Sequence, residues 1–294
     1  MKLVTAKDNN GNNSSGFYYG MYVLSMLLFG TNGYLVSHIS LQSSQIVLVR
    51  TLIGGILLSA MVLLQNDFTF SRIKPELRNL LAGGIALGLN WVALFAAYRM
   101  LNVSLATLIY YAGPMLVLLF SPWLFREALT QRKLTAIIIV AVGLVCITGS
   151  IAAGKLSMAG LVTAVGSALF YAALIVFNKR IKNTGGLQTA AIELDVAFVV
   201  VLLYVLFTSG FSYPLATDIP YLLTIGLLNT GLAYFLYFSS MQRLPAQSVA
   251  LISYIDPVSA LLFSAWLLNE NMTLLQIAGA VFIIGGAIMG ELGD

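Results

Sequence analysis

Apolar residues run through this chain in ten stretches of about 20 residues, the length a helix needs to cross the hydrocarbon core of a bilayer. The stretches fall at about 17–38, 43–64, 76–98, 103–124, 133–151, 157–178, 187–209, 218–240, 246–268 and 273–291. Short polar connections separate them, such as Gln65 to Lys74, Asn183 to Gly186 and Gly210 to Pro214. Ten spans consume most of the 294 residues, so a large soluble domain or an extramembrane catalytic module has no room. Composition agrees: 9% of residues are charged and 59% hydrophobic, whereas soluble domains carry about 25% charged residues. The runs are continuously apolar, not alternating, which excludes a transmembrane β-barrel. The expected fold class is therefore all-α integral membrane. The net charge of +4 is a loop property and implies no nucleic-acid partner. A single cysteine, Cys146, excludes an internal disulfide, and a single histidine, His38, leaves no His/Cys metal site. Neither a metal nor another cofactor is expected.

Basic residues in short loops set the orientation. Residues 1–16 are rich in Asn, Ser and Gly and read as a disordered cytoplasmic tail, not as a signal peptide, because no cleavage site follows the first apolar run. Counting this tail and every second connection, twelve Lys and Arg lie on one side of the membrane. Only Arg99 and Lys155 lie on the other, and Arg50 falls inside a span. Both termini are thus expected in the cytoplasm, in the plasma (inner) membrane of a prokaryote.

The two halves align without a gap at an offset of 143 residues. LIYYAGPMLVLLFSPWLFREALT (108–130) lies over LISYIDPVSALLFSAWLLNENMT (251–273), matching Tyr111 with Tyr254, Pro114 with Pro257, Trp123 with Trp266, Glu127 with Glu270 and Thr130 with Thr273. Leucine matches are cheap in a membrane protein, but these are not. Residues 17–151 and 157–291 are therefore two five-helix repeats, and because five is odd the second is inverted. Inverted repeats around a midplane site are the common architecture of secondary transporters. With its Pro, Trp, Glu and Thr signature at the end of each fourth helix, the chain resembles the drug/metabolite transporter superfamily, in particular exporters with paired EamA domains. Arg126 stands where that family usually has a small residue before Glu127, and Asn269 holds the matching place in the second copy. The resemblance implies ten helices, alternating access and export of small metabolites.

Ionisable residues within spans cost about 2.5–3.5 kcal/mol each on insertion scales and usually face a cavity or a partner. At about 1.5 Å per residue, Arg50 lies about 10 Å from the outer face, Glu193 about 9 Å and Asp195 about 12 Å from the cytoplasmic face, and Asp256 near the midplane. Arg50 is the repeat mate of Glu193, and Asp256 that of Gly113. Glu193 and Asp195 are about 200° apart on their helix, so both are not expected to face one cavity. Asn32, Asn90, Tyr110 or Tyr111, and Asn229 share the outer layer with Arg50, and Tyr171 and Tyr254 share the inner layer with Glu193. The expected substrate contacts are Arg50, Asn32, Asn90, Tyr111, Asn229, Tyr254 and Asp256. Asp256 and Glu193 are the candidates for proton coupling. Pro114 and Pro257 each remove a helical hydrogen bond and are candidates for kinks that line or gate the path. Trp91, Tyr234 and Tyr237 read as packing. Glu127 and the Thr130 and Thr273 positions read as interface and helix-cap residues, with Thr273 and Gln276 spaced for a capping box.

The leading functional reading is a secondary transporter that exports small amphipathic metabolites, amino acids or related compounds first, by alternating access. A zwitterion needs a cation for its carboxylate and an acid or carbonyl for its amine, and Arg50 and Asp256 supply these. The alternative is efflux of organic cations by proton exchange, which leaves Arg50 structural. An intramembrane enzyme lacks a nucleophile–base pair or metal motif, and a scaffold has no need of an inverted repeat. The partners are then a small-molecule substrate, the lipid bilayer and, on either reading, protons; monomer and homodimer stay equally open. The charge asymmetry predicts that an alkaline phosphatase fused to the C-terminus stays inactive in cells and a fluorescent protein fused there is bright. An active phosphatase at that position overturns the orientation.

Overall fold

The computed structural model describes residues 13–65, 70–101, 103–148, 157–208, 210–269 and 271–291. Helices make up nearly all of it, and there is no strand among the described residues. Ten spans emerge. The first, α1, is Asn13–Gly30 continued after a break at Thr31 by Asn32–Ser37. Nine more are long and apolar enough to cross a membrane: α2 Ser43–Leu64, α3 Phe70–Met100, α4 Leu105–Phe125, α5 Gln131–Thr148, α6 Met158–Arg180, α7 Gly186–Thr208, α8 Ala216–Met241, α9 Ala246–Leu267 and α10 Leu274–Glu291. Two starts differ from the sequence reading. The first helix begins at Asn13, inside the stretch read as tail, while residues 1–12 lie outside the described residues. The third begins at Phe70 with a short turn and a 3-10 turn around Pro75, where a proline suits a helix start.

Large apolar side chains cover the outside of the bundle, as a hydrocarbon solvent requires. Trp123 and Trp266, at the ends of α4 and α9, are 78% and 74% exposed, the position of an interfacial aromatic belt. The expected caps are present. The Thr273 N–H donates to Gln276 Oε1 at 2.9 Å while the Gln276 N–H donates to Thr273 Oγ1 at 3.2 Å. The Lys133 N–H donates to Thr130 Oγ1 at 3.3 Å.

Three pairs of repeat mates, α2–α7, α4–α9 and α5–α10, pack against each other, and the α2–α7 bonds run antiparallel, which is the signature of inversion. In the α2–α7 pair, Gln45 Nε2 near the start of α2 donates to the Gly210 carbonyl just past the end of α7 at 3.1 Å, and Ser59 Oγ farther along donates to Asp195 Oδ2 at 2.8 Å. Helices α4 and α9 meet likewise, as do α5 and α10. The α5–α10 crossing is close. A Cβ on Gly279 would stand 2.6 Å from the Gly143 carbonyl oxygen, and one on Gly143 would stand 2.7 Å from the Gly279 carbonyl oxygen. Small residues let helix backbones approach where lipid offers no hydrophobic drive to associate.

The inversion extends to single backbone angles. Arg126 and Asn269, repeat mates, both close their helices in the left-handed region, with φ of 60° and 54°. Glycine or asparagine suits that terminating position, which explains why a small residue is usual there and why Arg126 is the strained member. Glu270, the mate of Glu127, lies outside the described residues.

The crossing yields a paired prediction. Gly279→Leu forces two backbones apart and should destabilise the protein by about 1–3 kcal/mol, the usual cost of overpacking. Gly285→Leu meets nothing within 4 Å and should melt like the wild type. Thermal unfolding in detergent compares the two.

Candidate functional site

Two kinked helices form the centre of the bundle. In α4 the helix Val103–Tyr110 stops, Tyr111 makes a turn, and Ala112–Phe125 resumes; in α9 the helix Ala246–Ile252 stops, Ser253 and Tyr254 make the turn, and Ile255–Leu267 resumes. Pro114 and Pro257 sit three residues after Tyr111 and Tyr254. A proline cannot donate to the carbonyl four residues back and its ring pushes that carbonyl away, so each kink falls where the freed carbonyl, Tyr110 or Ser253, lies. The Ser253 carbonyl finds the Asp256 N–H at 3.2 Å instead. The two kinks are tied together: the Tyr254 hydroxyl donates to the Tyr111 carbonyl at 2.7 Å. The Tyr111 hydroxyl turns to Asp256 Oδ2 at 3.1 Å.

Above this crossing lies a cavity of about 450 Å³, walled by α1, α2, α3, α4, α6, α8 and α9. Tyr171, Tyr237 and Asp256 are at its deep end, and Val36, Ser43 and Tyr98 at its mouth, at the end of the bundle opposite the termini. Arg50 is the one base and Asp256 the one acid among the lining side chains. The Arg50 guanidinium lies over Trp91, 4.7 Å from the ring centroid, a cation–π contact that stabilises a charge without neutralising it. The Tyr234 hydroxyl is within hydrogen-bonding reach of the guanidinium. Arg50 Nε is buried with no hydrogen-bond partner among the described residues. Tyrosines dominate the rest of the wall. Tyr110 and Tyr171 stack at 5.2 Å with a 9° angle between rings, and Tyr234 packs on Phe29 and edge-on to Trp91.

The other end of the bundle is closed by polar contacts between the repeats. Glu127, at the end of α4, accepts the N–H groups of Ala246 at 2.7 Å and Gln247 at 2.9 Å. These are orphan donors of the first turn of α9, whose cap residue, Pro245, supplies no side-chain acceptor. Gln247 Nε2 reaches back to Ser121 Oγ at 2.6 Å and the Ala128 carbonyl at 3.2 Å. Lys179 Nζ donates to the carbonyls of Met241 and Leu244. The Tyr19 hydroxyl donates to Glu291 Oε2 at 3.1 Å, bringing the start of α1 beside the end of α10. The cavity is therefore open at one end of the bundle, while polar contacts close the other end among the described residues.

Of the residues picked from the sequence, Arg50, Asn32, Asn90, Tyr111 and Asp256 line this cavity. Asn229 and Tyr254 stand behind the wall instead. Asn229, in a π-helical stretch of α8 (Ile225–Leu232), donates to the Leu28 carbonyl at 2.6 Å, Thr31 Oγ1 at 2.7 Å and Asn32 Oδ1 at 3.1 Å. It satisfies the backbone at the α1 break and orients Asn32. Tyr254 is spent on the Tyr111 carbonyl. Asn90 reaches the cavity, although its amide N–H groups are directed at Ser167, with the carbonyl at 2.8 Å. Pro114 and Pro257 do not line it; they shape it through the kinks. Glu193 is fully buried away from the cavity, against Gly83, and both its oxygens accept from Asn178 Nδ2 at 2.9 Å. Its partner is thus an amide on α6 and not the basic loop that follows. Asp195 lies outside the cavity on the exposed stripe of α7 that includes Val199 and Leu203, bonded to Ser59. Trp91, Tyr234 and Tyr237, read as packing, prove to be wall residues, as do Tyr98, Tyr110 and Phe29. Their signal in the sequence is depth plus a polar tip, which core tyrosines share.

A solved crystal structure superposes on the chain with a TM-score of 0.83, covering 94% of this chain and 98% of the other at 20% identity, so the fold is shared. In sequence the chain is 28% identical over 268 residues to an uncharacterized transporter, YxxF, of Bacillus subtilis (strain 168), covering 90% of this chain and 86% of that one. It is also 28% identical over 241 residues to a probable amino-acid metabolite efflux pump of Salmonella typhimurium, covering 77% and 80%. The EamA-like transporter family matches the chain twice, over residues 16–149 and 158–290, and the chain belongs to that family.

Proposed function

We propose that this transporter exports small zwitterions, amino acids or close relatives, by alternating access, with Arg50 receiving the carboxylate and Asp256 the amine or a coupling proton. The observation that carries the reading is the charge inventory of the cavity: a lone arginine and a lone aspartate share one tyrosine-lined space. A zwitterion is the small molecule that satisfies both. The ring faces and hydroxyls of the wall suit an amphipathic body. The name of the Salmonella relative, a probable amino-acid metabolite efflux pump, points the same way.

The reading places the protein in the inner membrane of a prokaryote with both termini in the cytoplasm. The cavity then faces outward, and the contacts around Glu127 form the cytoplasmic seal. Protons are the coupling ion on this reading, and Asp256 carries them in preference to Glu193, because Asp256 faces the cavity and Glu193 does not.

A second reading has its own support. Tyrosine and tryptophan faces attract cations, and Asp256 lies among several of them, so an organic cation fits the deep end without help from Arg50.

Two substitutions separate the readings. Asp256→Asn keeps the shape and should lower exchange of phenylalanine in proteoliposomes and flatten its dependence on a pH gradient, with melting temperature unchanged. Normal flux with an intact pH response removes Asp256 from the mechanism. Arg50→Lys keeps the charge and loses the planar fork that grips a carboxylate with two parallel bonds. It should weaken phenylalanine transport by about ten-fold or more, the worth of a charge-assisted hydrogen bond, and leave phenethylamine transport nearly unchanged. A wild type that prefers phenethylamine, and a variant that keeps this preference, establish the cation reading instead.

A further inference from the structure

We propose that a second chamber over the mouth of the cavity is an antechamber for carboxylates, with Arg99 as its cation; the inference rests on the zwitterion reading above. The chamber has a volume of about 430 Å³ and lies between the start of α2 and the ends of α3 and α7. It shares Ser43, Phe95 and Tyr98 with the main cavity as common wall, so the two lie side by side. Arg99 and Tyr204 line it beyond the shared residues, and no acidic side chain does.

Three observations single out Arg99. It is exposed and makes no ion pair among the described residues. It is one of only two basic residues that the loop pattern places at this end of the bundle, against twelve at the other. Such a cation stands against the prevailing charge asymmetry, in the one place where it overlooks the path. It also stands in series with Arg50. Seven residues of α2 separate Ser43, at the junction of the chambers, from Arg50, which is about 10 Å of helix.

The electrostatics follow from position. A cation at the mouth of a low-dielectric cleft whose lining holds no acid raises the local concentration of anions and lowers that of cations. An anionic group passing between Arg50 and solvent by way of this chamber therefore meets a second positive charge after leaving the first. An amine of the same body gains nothing there. The antechamber thus discriminates by the carboxylate before the tyrosine-lined cavity reads the rest. Because the contact is wet, it depends on charge and not on fork geometry, so lysine should replace arginine at this position although not at Arg50.

The test compares Arg99→Gln and Arg99→Lys with wild type in proteoliposomes, using exchange of phenylalanine and of phenethylamine. Arg99→Gln should raise the KM for phenylalanine by about five-fold, the upper range for one exposed ion contact, with kcat little changed and no rise in the KM for phenethylamine. Arg99→Lys should restore the wild-type KM. The difference between wild type and Arg99→Gln should shrink at 0.5 M salt, where the screening length is about 4 Å. An unchanged KM in Arg99→Gln, an equal rise for both compounds, or a difference insensitive to salt overturns the antechamber. The two levels of the argument separate cleanly. If wild type carries phenylalanine and Arg50→Lys weakens it while Arg99→Gln is silent, the antechamber alone falls. If wild type carries only phenethylamine and Arg50→Lys is silent, the zwitterion reading falls and the antechamber with it. Melting curves confirm that both Arg99 variants are folded.

Discussion

A backbone carbonyl freed inside hydrocarbon has no water to turn to, so whatever breaks a membrane helix must also supply the missing partner. Pro114 and Pro257 impose this condition twice, at mirrored positions near the centre of the bundle. The Asp256 N–H meets it at the Ser253 carbonyl, and the Tyr254 hydroxyl bonds the Tyr111 carbonyl, one residue past the carbonyl that Pro114 frees. The bend of each fourth helix, and with it the room for a cavity of about 450 Å³, depends on these bonds. Tyr254 touches no cavity space and yet holds the two repeats together at the point where they cross.

Around this crossing the charges are arranged by what can satisfy them. Arg50 is supported by the Trp91 ring and faced by Tyr234, neither of which neutralises it. Asp256 accepts from one tyrosine hydroxyl and otherwise faces the cavity. Glu193, by contrast, is enclosed and has its oxygens directed at Asn178. Glu127 is spent on the first turn of α9, where two backbone donors lack partners. Of these four charged side chains, the two with capacity to spare line the cavity and the two without lie outside it.

Much of this architecture was legible in the sequence. Ten apolar runs point to about ten spans, and the 143-residue offset, anchored on Pro, Trp, Glu and Thr, points to two inverted units. Depth was legible too, since 1.5 Å per residue places Arg50, Asn32 and Asn90 in one layer. What the sequence withheld was direction around each helix. A soluble helix advertises its buried face by an apolar stripe, but these helices are apolar all round because lipid and protein core are alike in polarity. Asn229 and Asn32 therefore looked equivalent, although one faces the cavity and the other braces it. Tyr234 and Tyr237 looked like core for the same reason. The cap role of Glu127 escaped because its partners, Ala246 and Gln247, are about 120 residues away and are bound through backbone atoms that no side-chain pattern reveals.

The repeats are not equal where it matters most. Were they identical, each contact at the crossing would have a mirror image, and an exchange of shapes between the halves would convert one open end into the other at no difference in energy. The mirror image of Tyr254 donating to the Tyr111 carbonyl is Tyr111 donating to the Tyr254 carbonyl. The structure instead turns the Tyr111 hydroxyl onto Asp256, and the residue that mirrors Asp256 is Gly113, packed against the Ala168 carbonyl and Tyr171 with no room for a side chain. Tyr111 cannot serve both acceptors with its one hydroxyl hydrogen. The single acid of the cavity thus sits where it competes for the bond that a swap of the two repeats would require, so whatever neutralises Asp256, a proton or an amine, changes the balance between the two open ends.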